Sequence, residues 1–137
     1  MKAWMVWSGL ALLCWGVYAF LPKLIVESIK PQSAIVYQVF GGLLVGVGML
    51  FALNFKVETD IKGAGFAIAT GFAAMLGALF YLKAAMDTDL ALITPVTALY
   101  PMVTIFLAAV FLQESVSWRQ MAGLLLAVGA IWLMSSE

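Results

Sequence analysis

The sequence predicts an all-α membrane protein with five transmembrane helices, and three observations support this fold class. Hydrophobic residues make up 65% of the 137 positions and charged residues only 10%, whereas soluble domains average about 45–50% and about 25%. The seven basic and seven acidic residues divide the chain into five long uncharged runs. These runs do not alternate polar and apolar residues, as the strands of a membrane barrel would.

Each uncharged run is long enough to cross a bilayer as a helix. The runs contain 20, 25, 20, 24 and 17 residues, and a transmembrane helix needs about 20, within a range of about 17–25. The predicted helices follow these runs, with their ends adjusted by a few residues. Together they form one domain, 1–137, embedded in the lipid bilayer. These spans are about 3–28, 33–54, 63–86, 90–113 and 118–134.

Residues between the spans carry signals for helix ends. Pro31 follows Lys30, and the residue before a proline is disfavoured in a helix, so helix 1 is predicted to end there. Asp87 or Asp89 can cap helix 4, because a side-chain oxygen at that position accepts a free backbone N–H. Ser117, with Gln120 three residues later, predicts a capping box that opens helix 5.

Prolines within two spans predict local distortion. Helix 1 is predicted to continue past Pro22, since neighbouring helices can tolerate a proline in a membrane. Pro95 and Pro101 each remove one backbone hydrogen bond from helix 4 and crowd the preceding turn, so we predict a kink between them.

Pairs of small residues one turn apart recur in the helices. Small side chains let helix backbones approach closely in lipid, either within the chain or at an interface between subunits. The sequence leaves both interpretations open for Gly42 with Gly46, Gly123 with Ala127, and Ala67 with Gly71.

The chain lacks the residue combinations of most enzymes. It contains no His and a single Cys, Cys14, which excludes a Cys/His metal site or nucleophilic pair within one chain. None of the five uncharged runs holds a carboxylate that could relay protons within the membrane. We therefore expect no catalytic residue, metal or cofactor, no enzymatic activity and no nucleic-acid partner.

Four stretches in the second half of the chain carry a family resemblance. They are 77–85 (GALFYLKAA), 98–104 (ALYPMVT), 111–114 (FLQE) and 120–126 (QMAGLLL). In this order and spacing they resemble the EamA-like domain of the drug/metabolite transporter superfamily, and Trp15-Gly16 also fits the opening of that family.

The resemblance implies a fold, a location and an activity. Most EamA-like proteins carry two such domains, so this chain resembles the short five-helix bacterial and archaeal branch and would form one half of a ten-helix inverted-repeat transporter fold in the inner membrane. Family members often carry a basic residue midway through helix 2, where this chain has Gln38.

Polar and aromatic side chains inside the spans are the candidate substrate-binding residues. Buried polar side chains avoid lipid and face the helix bundle or a cavity. The alternative for the threonines is a hydrogen bond to the preceding turn of their own helix. The candidates are Trp15, Tyr18, Gln38, Thr70, Tyr81, Thr94, Thr97 and Thr104. Lys83 is interpreted either as a ligand or as a side chain that extends to the membrane surface.

The sequence supports two functional hypotheses. The first is a transporter of small organic metabolites or drugs that works by alternating access, and the second is a non-transporting membrane subunit that binds or stabilises a partner protein. For the first we expect a homodimer with antiparallel, dual topology, because five spans place four basic residues on one side of the membrane and three on the other. A parallel dimer or a monomer with one orientation is the alternative.

Overall fold

The computed structural model describes residues 2–134 and contains six α-helices, with no strand in this part of the chain. The helices are α1 (Ala3–Val26), α2 (Pro31–Ala52), α3 (Ile61–Asp87), α4 (Leu90–Thr97), α5 (Tyr100–Phe111) and α6 (Trp118–Met134). The all-α prediction is confirmed.

Proline affects the first two helices differently according to its position. α1 continues through Pro22, whose side chain is fully buried. α2 begins at Pro31, two residues earlier than predicted, because the first helical position needs no backbone N–H and favours the φ angle that the proline ring imposes.

α2 ends in a Schellman motif. The N–H of Phe55 donates to the carbonyl of Leu50 at 2.9 Å, and the N–H of Asn54 donates to that of Phe51 at 3.1 Å. Asn54 and Phe55 both have positive φ angles, of 49° and 60°, which is how this motif turns the chain out of a helix. The rings of Phe51 and Phe55 pack edge to face with centroids 5.3 Å apart.

α3 begins at Ile61 rather than at the predicted residue 63. The carboxylate of Asp60 accepts the N–H of Gly63 at 2.6 Å, and its carbonyl accepts the N–H of Ala64 at 2.9 Å. Asp60 therefore acts as an N-cap. Residue 60 lies between the predicted spans 33–54 and 63–86, and this role was not predicted.

The segment predicted as helix 4 is interrupted between its two prolines. α4 ends at Thr97 and α5 begins at Tyr100, with Ala98 and Leu99 between them. Pro101, which lacks an N–H, occupies the first turn of α5, where that loss is tolerated.

Of the N-terminal caps predicted for α4 and α6, only the second forms its side-chain hydrogen bonds. Asp89 occupies the N-cap position of α4 but makes no side-chain capping hydrogen bond. Before α6, the N–H of Ser117 donates to Oε1 of Gln120 at 2.7 Å, and the N–H of Gln120 donates to Oγ of Ser117 at 3.3 Å. The predicted capping box is confirmed.

The helices form two compact units. The first contains α1, α2 and α3, which pack against one another, and the second contains α4, α5 and α6, in which α4 packs against α6. Besides Pro22 and Pro31, the buried apolar side chains of the first unit include Ala34, Ala78, Leu82 and Ala85, and Ile93 is buried in the second.

Within residues 2–134, four helical segments are long and apolar enough to cross a membrane: α1, α2, α3 and Leu90–Phe111, which includes α4 and α5. α6 is apolar but has only 17 residues. Most large apolar side chains of these helices are exposed in the chain, as expected where lipid covers them.

Candidate functional site

Two long-range hydrogen bonds fix the register of α1 against α3. The hydroxyl of Tyr81 donates to the carbonyl of Ala19 at 3.1 Å, and Nζ of Lys23 donates to the carbonyl of Ala85 at 3.4 Å. Since residue 19 lies beside residue 81 and residue 23 beside residue 85, α1 and α3 run parallel.

The same register places three predicted site residues, Tyr18, Gln38 and Tyr81, at one depth along the helices of the first unit. Ala19 lies seven residues before the end of α1, Gln38 seven after the start of α2 and Tyr81 six before the end of α3. At 1.5 Å per residue these positions are about 9–11 Å from the same end of the unit, because only residues 27–30 separate α1 from α2. Tyr18 adjoins Ala19. We refer to Tyr18, Ala19, Gln38 and Tyr81 as the polar layer.

Gln38 contributes an unsatisfied polar atom to the polar layer. Its Oε1 is buried and has no hydrogen-bond partner among residues 2–134. A buried acceptor without a partner costs about 1–3 kcal/mol, so most such atoms in proteins are paired. An unpaired acceptor at this depth marks a place where a bound molecule could supply the missing donor.

Trp15 and Thr70 lie outside the polar layer. Trp15 is on α1 about 6 Å further from the helix end than Ala19, and Thr70 is on α3 about 16 Å from Tyr81 along the axis, at 1.5 Å per residue. The side chain of Trp15 is 63% exposed. The first unit therefore brings together only some of the predicted substrate-binding residues.

The hydroxyls of Thr70, Thr97 and Thr104 each donate a hydrogen bond within their own helix. Thr70 donates to the carbonyl of Phe66 at 2.9 Å, Thr97 to that of Ile93 at 3.0 Å, and Thr104 to that of Tyr100 at 3.3 Å. Thr97 also approaches the carbonyl of Thr94, at 3.1 Å. These bonds match the alternative stated for the threonines, although each hydroxyl oxygen can still accept a hydrogen bond.

A groove of about 420 Å³ runs along α5 in the second unit. Thr104 is its polar residue, and the others are Leu107, Ala108, Phe111 and Leu112. Because the Thr104 hydroxyl is directed to its own helix, the groove offers mainly apolar contacts. Within residues 2–134, no cluster of three or more His, Cys, Asp or Glu side chains could hold a metal ion.

Lys23 and Pro22 belong to the surroundings of the polar layer and were not predicted as site residues. Pro22 has no N–H to donate to the carbonyl of Tyr18, four residues earlier. The carbonyl of Ala19, next in the chain, accepts Tyr81. A proline in a span signals a free backbone carbonyl four residues before it, and this signal could have identified the carbonyl of Tyr18 as part of the layer.

Removing the Tyr81 hydroxyl tests its contact with α1. We expect Tyr81→Phe to lower the free energy of unfolding by about 0.5–1.5 kcal/mol, the usual contribution of one hydrogen bond. Unfolding of the purified protein in detergent, followed by circular dichroism, measures the change. Tyr37→Phe is the control, because Tyr37 lies at a similar depth on α2 and is 66% exposed. Equal stability of Tyr81→Phe and the native chain would argue against the bond.

The apolar helices and the comparisons with known proteins together define the class. The chain is a multi-pass membrane protein, and it belongs to the EamA-like transporter family, which it matches over residues 2–136. It is also similar to an uncharacterized protein of Methanocaldococcus jannaschii, with 27% identity over 123 residues that cover 88% of each chain. No solved structure matches it. The family resemblance predicted from the sequence is confirmed.

Proposed function

We propose that the chain transports small organic metabolites or drugs across the inner membrane by alternating access, as a homodimer. The observation that carries this proposal is the match to a transporter family over nearly the whole chain. The polar layer supports it, since the buried Oε1 of Gln38 provides a hydrogen-bonding position for a polar solute.

The proposal includes five spans in a single domain, 1–137. With 17 residues, α6 reaches the lower limit of about 17 residues for crossing a bilayer. Five spans would place the two termini on opposite sides of the membrane. Two copies inserted in opposite orientations would then form the inverted repeat from which many transporters are built.

The small-residue pairs support an interface between subunits. A Cβ atom added at Gly42, Gly46, Gly71 or Gly123 would contact nothing within 4 Å among the described residues. Close packing within each of the two units therefore does not require glycine at these positions. Of the two interpretations of these pairs, the contact between subunits is the one we propose.

Purified protein reconstituted into liposomes tests the transport proposal. We expect uptake of at least one solute from a broad panel of metabolites and drugs. Gln38→Ala and Tyr81→Ala should lower its apparent affinity about threefold to tenfold, because each variant loses a neutral hydrogen bond. Gln32→Ala is the control, since Gln32 is exposed near the start of α2.

The competing function is a non-transporting subunit that binds or stabilises a partner protein. If no solute of the panel moves or binds, transport by this chain alone is excluded for those solutes and the competing function is favoured. Uptake that is identical in the native protein, Gln38→Ala and Tyr81→Ala would instead retain transport but remove these two residues from the substrate path.

A further inference from the structure

Burial in the first unit is confined to one half of its length. We call 19–26 of α1, 31–38 of α2 and 75–87 of α3 the packed half, and 3–18, 39–52 and 61–74 the open half. The open half is exposed throughout, except for the half-buried Ala11 and Leu50. The side chains that are buried in the described part of this unit all lie in the packed half: Pro22, Pro31, Ala34, Ala78, Leu82 and Ala85.

A row of alanines on α3 shows that neither residue type nor helix face causes this change. Ala67, Ala74, Ala78 and Ala85 are spaced by seven, four and seven residues, so they share one face of the helix. Ala85 is 0% and Ala78 4% exposed, whereas Ala74 and Ala67 are exposed. Because the four side chains are identical, neighbouring helices must cover this face in the packed half and leave it uncovered in the open half.

The inner faces of α1 and α2 change in the same way. Trp15 lies seven residues before the buried Pro22 on the same face of α1, and it is 63% exposed. Val45 lies eleven residues after Ala34 on the same face of α2, and it is 65% exposed, against 2% for Ala34. The three helices therefore diverge beyond the polar layer and leave a space between them on the side of the α2–α3 loop.

The polar layer lies between this space and a closed end. Tyr18 is 41% exposed and Gln38 is half-buried at the base of the space, where water offers hydrogen-bond partners and hydrocarbon offers none. On the other side, Lys23 donates to the carbonyl of Ala85 and joins the ends of α1 and α3. Pro22 precedes Lys23, and the backbone bond that a proline removes lets a helix bend there.

From this one-sided packing, and resting on the proposed function, we propose that the structure is the state in which water and solute reach the polar layer from the side of the α2–α3 loop. The open half is a water-filled vestibule, and the packed half is the gate toward the α1–α2 loop. The gate opens when the end of α1 bends away from α3 at Pro22, which breaks the bond between Lys23 and Ala85.

Thiol labelling along the alanine row of α3 tests this proposal. Single cysteines replace each alanine of the full-length chain in a Cys14→Ser background, in lipid nanodiscs, and react with a charged maleimide that does not enter lipid. We expect Ala67→Cys and Ala74→Cys to react at least about tenfold faster than Ala78→Cys and Ala85→Cys, because apolar surroundings leave little reactive thiolate. Nanodiscs expose both membrane surfaces, so the direction of insertion does not affect the pattern.

Leu43→Cys is the control for contact with lipid. Leu43 lies nine residues after Ala34, on the opposite face of α2, and is 56% exposed. It is about 18 Å from the start of α2, and Ala74 is about 20 Å from the end of α3, at 1.5 Å per residue. At this matched depth Leu43→Cys should react as slowly as the cysteines of the packed half, because lipid tails surround it.

Lys23→Met tests the gate. It keeps an unbranched side chain but removes the bond to Ala85, and it should speed the labelling of Ala78→Cys about threefold to tenfold, as expected for the loss of one hydrogen bond. Lys30→Met, at an exposed position beside the start of α2, should leave that rate unchanged. Ala34→Cys reports on the same half if Ala78→Cys does not fold.

The outcomes separate this proposal from the transport proposal. The vestibule is overturned if the cysteines of the open half react no faster than Leu43→Cys, and the gate is overturned if the cysteines of the packed half react as fast as those of the open half. Equal labelling in Lys23→Met and Lys30→Met overturns the role of Lys23. The expected pattern without flux in liposomes supports the vestibule and removes transport, whereas flux with uniform labelling does the reverse.

Discussion

A reporter fused to the C-terminus is expected to give signal on both sides of the membrane. With five spans, Lys2, Lys56, Lys62 and Arg119 lie on one side, and the other side holds Lys23, Lys30 and Lys83. Orientation follows the excess of Lys and Arg in cytoplasmic loops, and four against three is almost no excess. Paired fusions, one reporter active only inside the cell and one only outside, measure the two populations at normal expression.

Added charge should convert the mixed population into a single orientation. Two lysines in the α2–α3 loop, Asn54→Lys with Glu58→Lys, are expected to draw that loop to the cytoplasm. Glu27→Lys with Ser28→Lys, in the α1–α2 loop, should give the opposite orientation. The neutral changes Asn54→Gln with Glu58→Gln are the control, since Asp and Glu contribute little to orientation.

Signal from one compartment alone in the native chain would exclude dual insertion. Indifference to the added lysines would undercut the charge argument even if both compartments gave signal. In the lysine variants, which adopt one orientation, four spans would place both termini on the same side and five on opposite sides, so a reporter at each end tests whether α6 crosses the membrane.

Truncation of Leu82 is expected to be the most destabilising of the side-chain substitutions proposed for this chain. Leu82 on α3 is 0% exposed, and Leu82→Ala leaves a cavity there. Buried leucine-to-alanine changes cost about 2–5 kcal/mol in soluble proteins, partly through transfer from water. In a bilayer the transfer contribution is small, because lipid is as apolar as leucine. We therefore expect a loss of about 1–3 kcal/mol, from lost packing.

Leu44→Ala is the matched control for this experiment. Leu44 on α2 is 74% exposed, so lipid can replace the removed atoms and the change should be within about 0.5 kcal/mol, as for other surface substitutions. Both variants are compared by unfolding in mixed micelles. Equal effects at the two positions would show that the first unit is not packed around Leu82.

The fold was predictable where it depends on composition and local chemistry. Uncharged runs define the long helices because a charge is costly inside a bilayer, and the Ser117–Gln120 box follows from two residues three apart. The N-cap at Asp60 was missed because the uncharged run that defines the third span begins only at Gly63, after Lys62. The interruption at Ala98 and Leu99 lies between two prolines that indicated a distortion without fixing its position.

The candidate site was less predictable, because its contacts join distant parts of the chain. Tyr81 and Ala19 are 62 residues apart, and only the packing of α1 on α3 reveals that they meet. The identity of a residue also does not predict which group its hydroxyl bonds to. Thr70 and Thr104 were candidate substrate-binding residues, but both hydroxyls donate to carbonyls of their own helices. Gln38 differs from these threonines, because its buried Oε1 has no hydrogen-bond partner within residues 2–134.

The open space around the glycines has a consequence for helix propensity. Glycine within a helix is less favourable than alanine by about 0.5–1 kcal/mol, owing to the backbone freedom that it loses on folding. At Gly42, Gly46, Gly71 and Gly123, an added methyl group would meet no atom among the described residues. A solitary subunit would thus form stiffer helices with alanine at all four positions. Each methyl group is therefore a steric probe: where alanine weakens the assembled protein but not the single chain, a neighbouring molecule touches that backbone.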